Sequence, residues 1–322
     1  MTQPPSVFGI RVPDRVHPAA DHIGRHLMAW AVHTGLASDG RDMARLDSAG
    51  YHLAAARVLP DAAPAGVELF AEWTVWLFHL DDEQDQGAMG RSAASVAAGY
   101  DAITAVMAGR PAPAGASPAV TAAAALWPRT AGRMSPAWSR RFLAHIHDHR
   151  DAFIAQAAHR AGGTLPTPEQ YPALRRNDNA MFLYDLVEVA HRTEIPPELA
   201  GDPHWTELCA ASSDIGAWCN DLLSLDREAA NGETTNYVTV LEHATGAGRH
   251  AAVEQVRALI TRRSHDLAAA ADACLARAAD LAPRTDPDGV RRVVATIVDM
   301  PGAYVAWMLA SGRYEAPLHP AP

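Results

Sequence analysis

The stretch Trp73-Thr-Val-Trp76-Leu-Phe78-His79-Leu80-Asp81-Asp82-Glu83-Gln84-Asp85 passes from a mainly apolar run into five polar residues, four of them acids. Read as one helix from Glu68 to Asp85, it lays Leu69, Trp73, Trp76, Leu77 and Leu80 along one broad face. Asp81 and Asp85 then stand one turn apart on a shared face, with Asp82 beside them. Like charges in that arrangement repel one another. A divalent cation resolves the conflict, because hard Mg²⁺ is commonly held by one or two carboxylates together with substrate phosphates. A solvated acidic helix end explains the same residues, so this stretch alone does not decide between them.

The pattern extends outward in both directions. Further helices are expected over Ala137 to Arg160, Arg175 to Arg192, Trp205 to Ala230, Ala251 to Ala282 and Val290 to Ala310. In these segments apolar residues recur at three- and four-residue spacing, and Ala and Leu dominate. Gly and Pro punctuate them at 110–115, 162–168, 196–197 and 283–289. None of these breaks is long enough to read as an interdomain linker, although 322 residues at about 150 per domain gives a prior of two. The expectation is one all-α domain over 1–322, with loose tails at about 1–15 and 315–322.

Bulk properties narrow the chemistry. Lys and Arg number 27 against 37 Asp and Glu, a formal charge of −10. Such a balance disfavours nucleic acid as a partner, since that needs clustered cations. It does not exclude a small anion held through metal, because a bound cation reverses the local field. Cys209, Cys219 and Cys274 are odd in number and lie in no metal-ligand spacing, so reduced thiols are expected. The N-terminus has no basic-then-apolar leader, and no run approaches the roughly 18 apolar residues of a membrane span. A cytoplasmic location follows as an expectation.

A second cluster changes the reading of the first. In Asn220-Asp221-Leu-Leu-Ser224-Leu-Asp226-Arg227-Glu228, the residues Asn220, Ser224 and Glu228 are spaced four apart. Each four-residue step turns a helix by only about 40°, so three oxygens can address one ion. Arg227 adds a guanidinium fork suited to phosphate. A polar stripe on a helix is common, but it is less common in a chain that also carries the Asp81–Asp85 cluster.

With both clusters in view, the sequence resembles the bacterial class I terpene synthases (terpene cyclases). Asp81–Asp85 is similar to their aspartate-rich motif, and Asn220–Glu228 to their Asn-Ser-Glu metal triad. The run Tyr171-Pro-Ala-Leu-Arg175-Arg176-Asn-Asp178-Asn179 resembles their Tyr-x-x-Leu-Arg-Arg stretch. Arg313-Tyr314, with Trp307 upstream, resembles their C-terminal Arg-Tyr pair. These four elements, in order, span 81 to 314.

The resemblance implies an all-α isoprenoid synthase helical bundle around a central active-site cavity. It implies metal ligation by Asp81, Asp82 and Asp85 on one side and by Asn220, Ser224 and Glu228 on the other, with three Mg²⁺ ions in the closed complex. Arg175, Arg227, Arg313 and Tyr314 would contact diphosphate, with Arg176 an alternative to Arg175 as its sensor. Asp178 would be the linker acid, and Asn179 would lie in a helix break whose carbonyl faces the cation. The implied substrate is a linear isoprenoid diphosphate, C15 ahead of C20, and inorganic diphosphate is a product. Homodimers are frequent in the family, but no interface is legible here.

Independently of the family, ionising an allylic diphosphate needs preorganised positive charge at the leaving group, and the cation needs a dry cavity with aromatic faces. Candidate wall residues are Trp73, Trp76, Phe78, Phe182, Trp218 and Trp307, of which two or three are expected to line the cavity. His145 and His149, four apart, could bind Zn²⁺, yet a solvated mixed helix face is the simpler account. Two rivals remain open. A chain-elongating prenyltransferase would carry a second aspartate-rich motif where this chain has Asn220, Ser224 and Glu228. A catalytically silent helical binding protein would keep the motifs without the reaction.

Overall fold

A computed structural model describes residues 6–85, 87–231, 235–281 and 286–314. Among them the helices are α1 (Ala20–Thr34), α2 (Gly40–Ala49), α3 (Tyr51–Val58), α4 (Pro64–Asp85), α5 (Ala93–Met107), α6 (Pro118–Ala131) and α7 (Pro136–Gly162). There follow α8 (Tyr171–Asp178), α9 (Phe182–His191), α10 (Pro197–Ala200), α11 (Pro203–Asn231), α12 (Tyr237–Thr245), α13 (Arg249–Asp280) and α14 (Pro287–Met308). The expected all-α bundle is the fold observed, and one continuous apolar core runs through it.

Helix α4 is the central strut. From Val67 to Leu80 it is buried at nearly every position, so it is apolar on all sides and not along one face. Helices α1, α3, α6 and α9 surround it. Its one deeply buried acid in that span, Glu72, is ion-paired with Arg129 of α6 and hydrogen-bonded to His26 Nε2 of α1 at 2.7 Å. Paired in this way, the charge ties three helices together and is not left bare in the core. On the far side, α11 packs against α13 and α14 and touches α8.

Local signals set most helix ends. Ser117 and Ser135 cap α6 and α7 through hydrogen bonds to Val120 N and Trp138 N, and each is followed by Pro at the first helical position. The predicted breaks at 110–115, 162–168 and 196–197 fall between helices or at their end residues, Gly162 closing α7 and Pro197 opening α10; of the break at 283–289, residues 283–285 lie outside the described residues. The expected helix over Arg175–Arg192 is instead two, α8 and α9. Ala180 between them adopts φ +60°, a left-handed conformation that costs a non-glycine residue about 1 kcal/mol. Asn179 helps to hold that break, its side-chain amide donating to Ser213 O at 3.2 Å and Oγ at 3.0 Å on α11.

The N-terminal stretch expected to be loose is docked from residue 6. Strands β1 (Ser6–Val7) and β2 (Ile10–Arg11) form a hairpin whose turn uses positive φ at Phe8 and Gly9. Ile10 and Val12 are buried. The hairpin sits against α14 at Gly302, where a Cβ would lie 2.1 Å from the Arg11 carbonyl oxygen. Only glycine permits that approach. Residues 1–5 and the expected C-terminal tail 315–322 lie outside the described residues.

Candidate active site

The ends of α4 and α8, the middle of α11 and the segment from α14 to Tyr314 surround one cavity. Its mouth is lined by Asp81, Asp82, Asp85, Arg175, Asp178, Asn179, Asn220, Arg227, Glu228, Arg313 and Tyr314. Eleven of the twelve metal and diphosphate candidates named from sequence therefore meet at one opening. Ser224 is the exception: it is buried, and its hydroxyl donates to Asn220 O one turn back at 2.7 Å.

The charges at the mouth are cross-linked. Arg313 Nη2 donates to Asp81 Oδ2 at 2.9 Å and to Asp82 Oδ1 at 3.0 Å, while its guanidinium lies 4.8 Å from the Phe78 ring centroid. Arg160 of α7 reaches Asp85 Oδ1 at 3.3 Å and the Gln84 carbonyl at 3.1 Å. Arg175 bridges three groups, donating from Nε to Asp221 at 3.0 Å, from Nη1 to Asp178 at 2.6 Å and from Nη2 to Asn220 Oδ1 at 2.8 Å. Asn220 in turn donates from its amide to the Tyr314 hydroxyl at 2.8 Å. A lysine has no planar fork to make such a three-way bridge.

Arg176 faces away. It pairs bidentately with Asp214 at 3.0 and 2.9 Å and does not line the cavity, whereas Arg175 does. Asp221, counted from sequence among the metal-cluster acids, is likewise turned inward. It is fully buried and receives Tyr171 Oη at 2.8 Å and Tyr237 N at 3.3 Å besides Arg175. Its place is under the arginine, as its counter-ion. Asn236 escaped the sequence reading. Its Oδ1 caps α12 at Val238 N, while its amide holds Glu228 Oε2 at 2.8 Å and the Asp221 carbonyl at 2.8 Å. The only sequence signal was an Asn before an apolar run, which reads as a helix cap and nothing more.

Electrostatics leave these acids poised. Burial pushes Asp81 up to about 6 against the pull of Arg313, and burial followed by the nearby Asp221 pushes Glu228 up to about 7. Arg227 lines the cavity with its Nε buried and without a hydrogen bond, close to Glu228 at 3.7 Å. Hard oxygens from Asp81, Asp82, Asp85, Asn220 and Glu228 are the donor chemistry Mg²⁺ takes. Among the described residues no three His, Cys, Asp or Glu side chains converge as a ready-made metal cluster.

Below the mouth the walls are largely apolar. Of the six aromatics proposed from sequence, Phe78 and Trp307 line the cavity. Trp73, Trp76 and Phe182 do not: they pack on one another and on Phe142 with centroids 5.0 to 5.8 Å apart. Trp218 packs on Tyr237 at 5.4 Å. Because α4 is buried all round, helical spacing could not say which of its faces meets the cavity. The zinc alternative also fails. His145 binds Asp185 at 2.7 Å, and His149 is fully buried against Tyr100, so the segment is not the solvated face expected. The three cysteines are free and buried, and no helix among the described residues is long and apolar enough to cross a membrane.

Comparison with known proteins agrees with this geometry. Pristinol synthase of Streptomyces pristinaespiralis is 28% identical over 98% of this chain and 86% of its own length. The (+)-T-muurolol synthase of Roseiflexus castenholzii, which cyclises (2E,6E)-farnesyl diphosphate, is 31% identical over 70% of each chain. Among solved structures, wild-type cucumene synthase superposes with a TM-score of 0.81 at 25% identity, covering 93% of this chain and 98% of that one. Linalool/nerolidol synthase from Streptomyces clavuligerus shares the fold, with a TM-score of 0.81 at 22% identity over 94% of this chain and 99% of that one. The family model described as terpene synthase family 2, C-terminal metal binding, matches residues 72–266, which takes in both oxygen clusters and the arginine that joins them, and the chain belongs to that terpene synthase family.

Proposed function

We propose that this enzyme ionises a linear C15 isoprenoid diphosphate, farnesyl diphosphate, with Mg²⁺, and cyclises the resulting carbocation to a terpene hydrocarbon or alcohol. One observation carries the reading: two sets of hard oxygens and four arginines, Arg160, Arg175, Arg227 and Arg313, face a single cavity that turns apolar below them. The C15 preference rests on relatives named for farnesyl diphosphate, with C20 the next candidate. The continuous core supports reading the described residues as one domain.

In this proposal Asp81, Asp82 and Asp85 hold Mg²⁺ on one wall and Asn220, Ser224 and Glu228 on the other, three ions in all. For Ser224 to take part, its hydroxyl must turn from the Asn220 carbonyl. Bound Mg²⁺ would neutralise the charge that develops on the departing diphosphate. Arg175, Arg227, Arg313 and Tyr314 bind and orient the diphosphate oxygens, the first and third exchanging their present carboxylate or amide partners for phosphate. Arg227 has a free buried donor to offer at once. Asp178 links Arg175 to the α8–α9 break, where Asn179 presents its backbone to the cavity. Phe78 and Trp307 offer ring faces to the cation, and the closed apolar walls exclude stray water.

The test is a product panel against C10, C15 and C20 diphosphates, with and without Mg²⁺ and isopentenyl diphosphate. Mg²⁺-dependent diphosphate release and a cyclic C15 product from farnesyl diphosphate alone are expected. Consumption that requires isopentenyl diphosphate would assign chain elongation instead.

A further inference from the structure

Helix α11 carries a glycine that its own packing does not require. Glycine inside a helix is destabilising relative to alanine, so each one asks for a steric or conformational reason. Gly24, Gly66, Gly99, Gly289 and Gly302, on α1, α4, α5 and α14, have a steric one: a Cβ at each would stand 3.0 Å or less from another heavy atom. Gly216, in the middle of α11, has neither. It is not among the glycines of positive φ, and a Cβ there would meet no atom within 4 Å.

The open space beside Gly216 is the cavity. From Leu208 to Asp221 every residue is buried except Gly216 and Asn220, and both of these line the cavity. Gly216 precedes Asn220 by four residues, on the stripe that continues through Ser224 and Glu228. At 1.5 Å per residue it lies ~6 Å along the helix from Asn220, on the side away from Glu228. Leu77, Leu183 and Met300 line the same cavity, so the space suits hydrocarbon and not a second anion. A bare backbone is also what lets a ligand approach a helix closely.

We propose that Gly216 is a specificity-determining residue that sets substrate chain length. The bare α11 wall one turn inward of Asn220 gives the hydrocarbon tail of a C15 diphosphate room to pass, while its diphosphate stays at the two oxygen clusters. The inference rests on the cyclase reading above and deepens it to one side-chain position. A C10 tail is shorter by one isoprene unit and needs less of that room. Filling the space therefore penalises the longer chain more, because methylenes added to an occupied volume force their neighbours to shift. Stability responds in the opposite sense to a single methyl: alanine is the better helix former, and its Cβ has no atom to displace.

The experiment compares wild type, Gly216→Ala and Gly216→Leu with Mg²⁺ and either farnesyl or geranyl diphosphate, reading diphosphate release and melting temperature. Gly216→Ala should melt about 1 °C above wild type. Gly216→Leu should lower the ratio of kcat/KM for the C15 substrate to that for the C10 substrate by about tenfold. A merely structural effect slows both substrates alike and leaves that ratio unmoved. Gly216→Met serves if the Leu variant does not fold. An unchanged ratio in the folded variant, or an Ala variant that melts below wild type, would overturn the assignment. Failure of the wild type to release diphosphate from either substrate would overturn the cyclase reading itself, and is told apart by that missing diphosphate.

Discussion

Replacing Asp221 by Asn tests whether the acid under Arg175 works through the arginine. The substitution keeps the side chain's shape and removes its charge. It also sets an amide among three donors: Arg175 Nε at 3.0 Å, Tyr171 Oη at 2.8 Å and Tyr237 N at 3.3 Å. Breaking a buried pair from one side costs about 3–5 kcal/mol. Arg175 keeps Asp178 at 2.6 Å, which places the loss near the lower end, about 3 kcal/mol. With an unfolding entropy of about 2.1 cal/mol/K per residue, 322 residues give about 0.7 kcal/mol/K, so the melting temperature should fall by about 4 °C. Activity should fall further than stability suggests. Arg175 loses its anchor beside Asn220, and a misplacement of about 1 Å in such a site costs on the order of 100-fold. Differential scanning calorimetry and steady-state diphosphate release read the two effects. Asp226→Asn, a change of an exposed acid whose partner Arg249 is 3.5 Å away, is the control and should leave both unchanged. A variant of Asp221 that melts and turns over like wild type would refute the counter-ion argument.

Further outcomes follow from the burial of particular side chains. His149 is fully buried with Nε2 unpartnered, and burial lowers its pKa to about 4 from 6.5. A depressed folded-state value means that the fold holds its stability above pH 6.5 and loses about 3 kcal/mol as pH falls toward 4. Denaturant midpoints measured from pH 7 to 4 should therefore slope less in His149→Gln than in wild type, and parallel curves would contradict the assignment. Trp73→Phe gives up the bond from Nε1 to Thr130 at 2.9 Å and some core volume, and should cost about 2 kcal/mol without altering the product mixture. Trp307→Phe, on the cavity wall, should alter the mixture. Chromatographic profiles of both variants separate core from wall.

How much was legible in the sequence differs from residue to residue. Periodicity and the Gly and Pro breaks marked α4, α7, α11, α13, α14 and the stretch that holds α8 and α9, but α1, α2, α3, α5, α6, α10 and α12 were not singled out. Helix α2 is mostly polar and buries only Ala49, so it carries no clear apolar stripe. The N-terminal hairpin was missed because its two-residue strands owe their place to the gap at Gly302 on α14, far away in sequence. The motif acids and arginines were legible because their spacing is local: four-residue steps on one helix fix a shared face.

The sequence by itself determined the helical class, the order of the oxygen and arginine clusters, and the reduced cysteines. These depend on helical pitch and on residue chemistry within a turn or two. Only the tertiary structure decided which side of each residue meets the cavity. It turned Arg175 inward and Arg176 outward, put Asp221 beneath the arginine, and sent Trp73 and Trp76 to the core. Those outcomes depend on which helix lies opposite, and no periodicity along a chain encodes a neighbour forty or more residues away, as Asp221 is from Arg175.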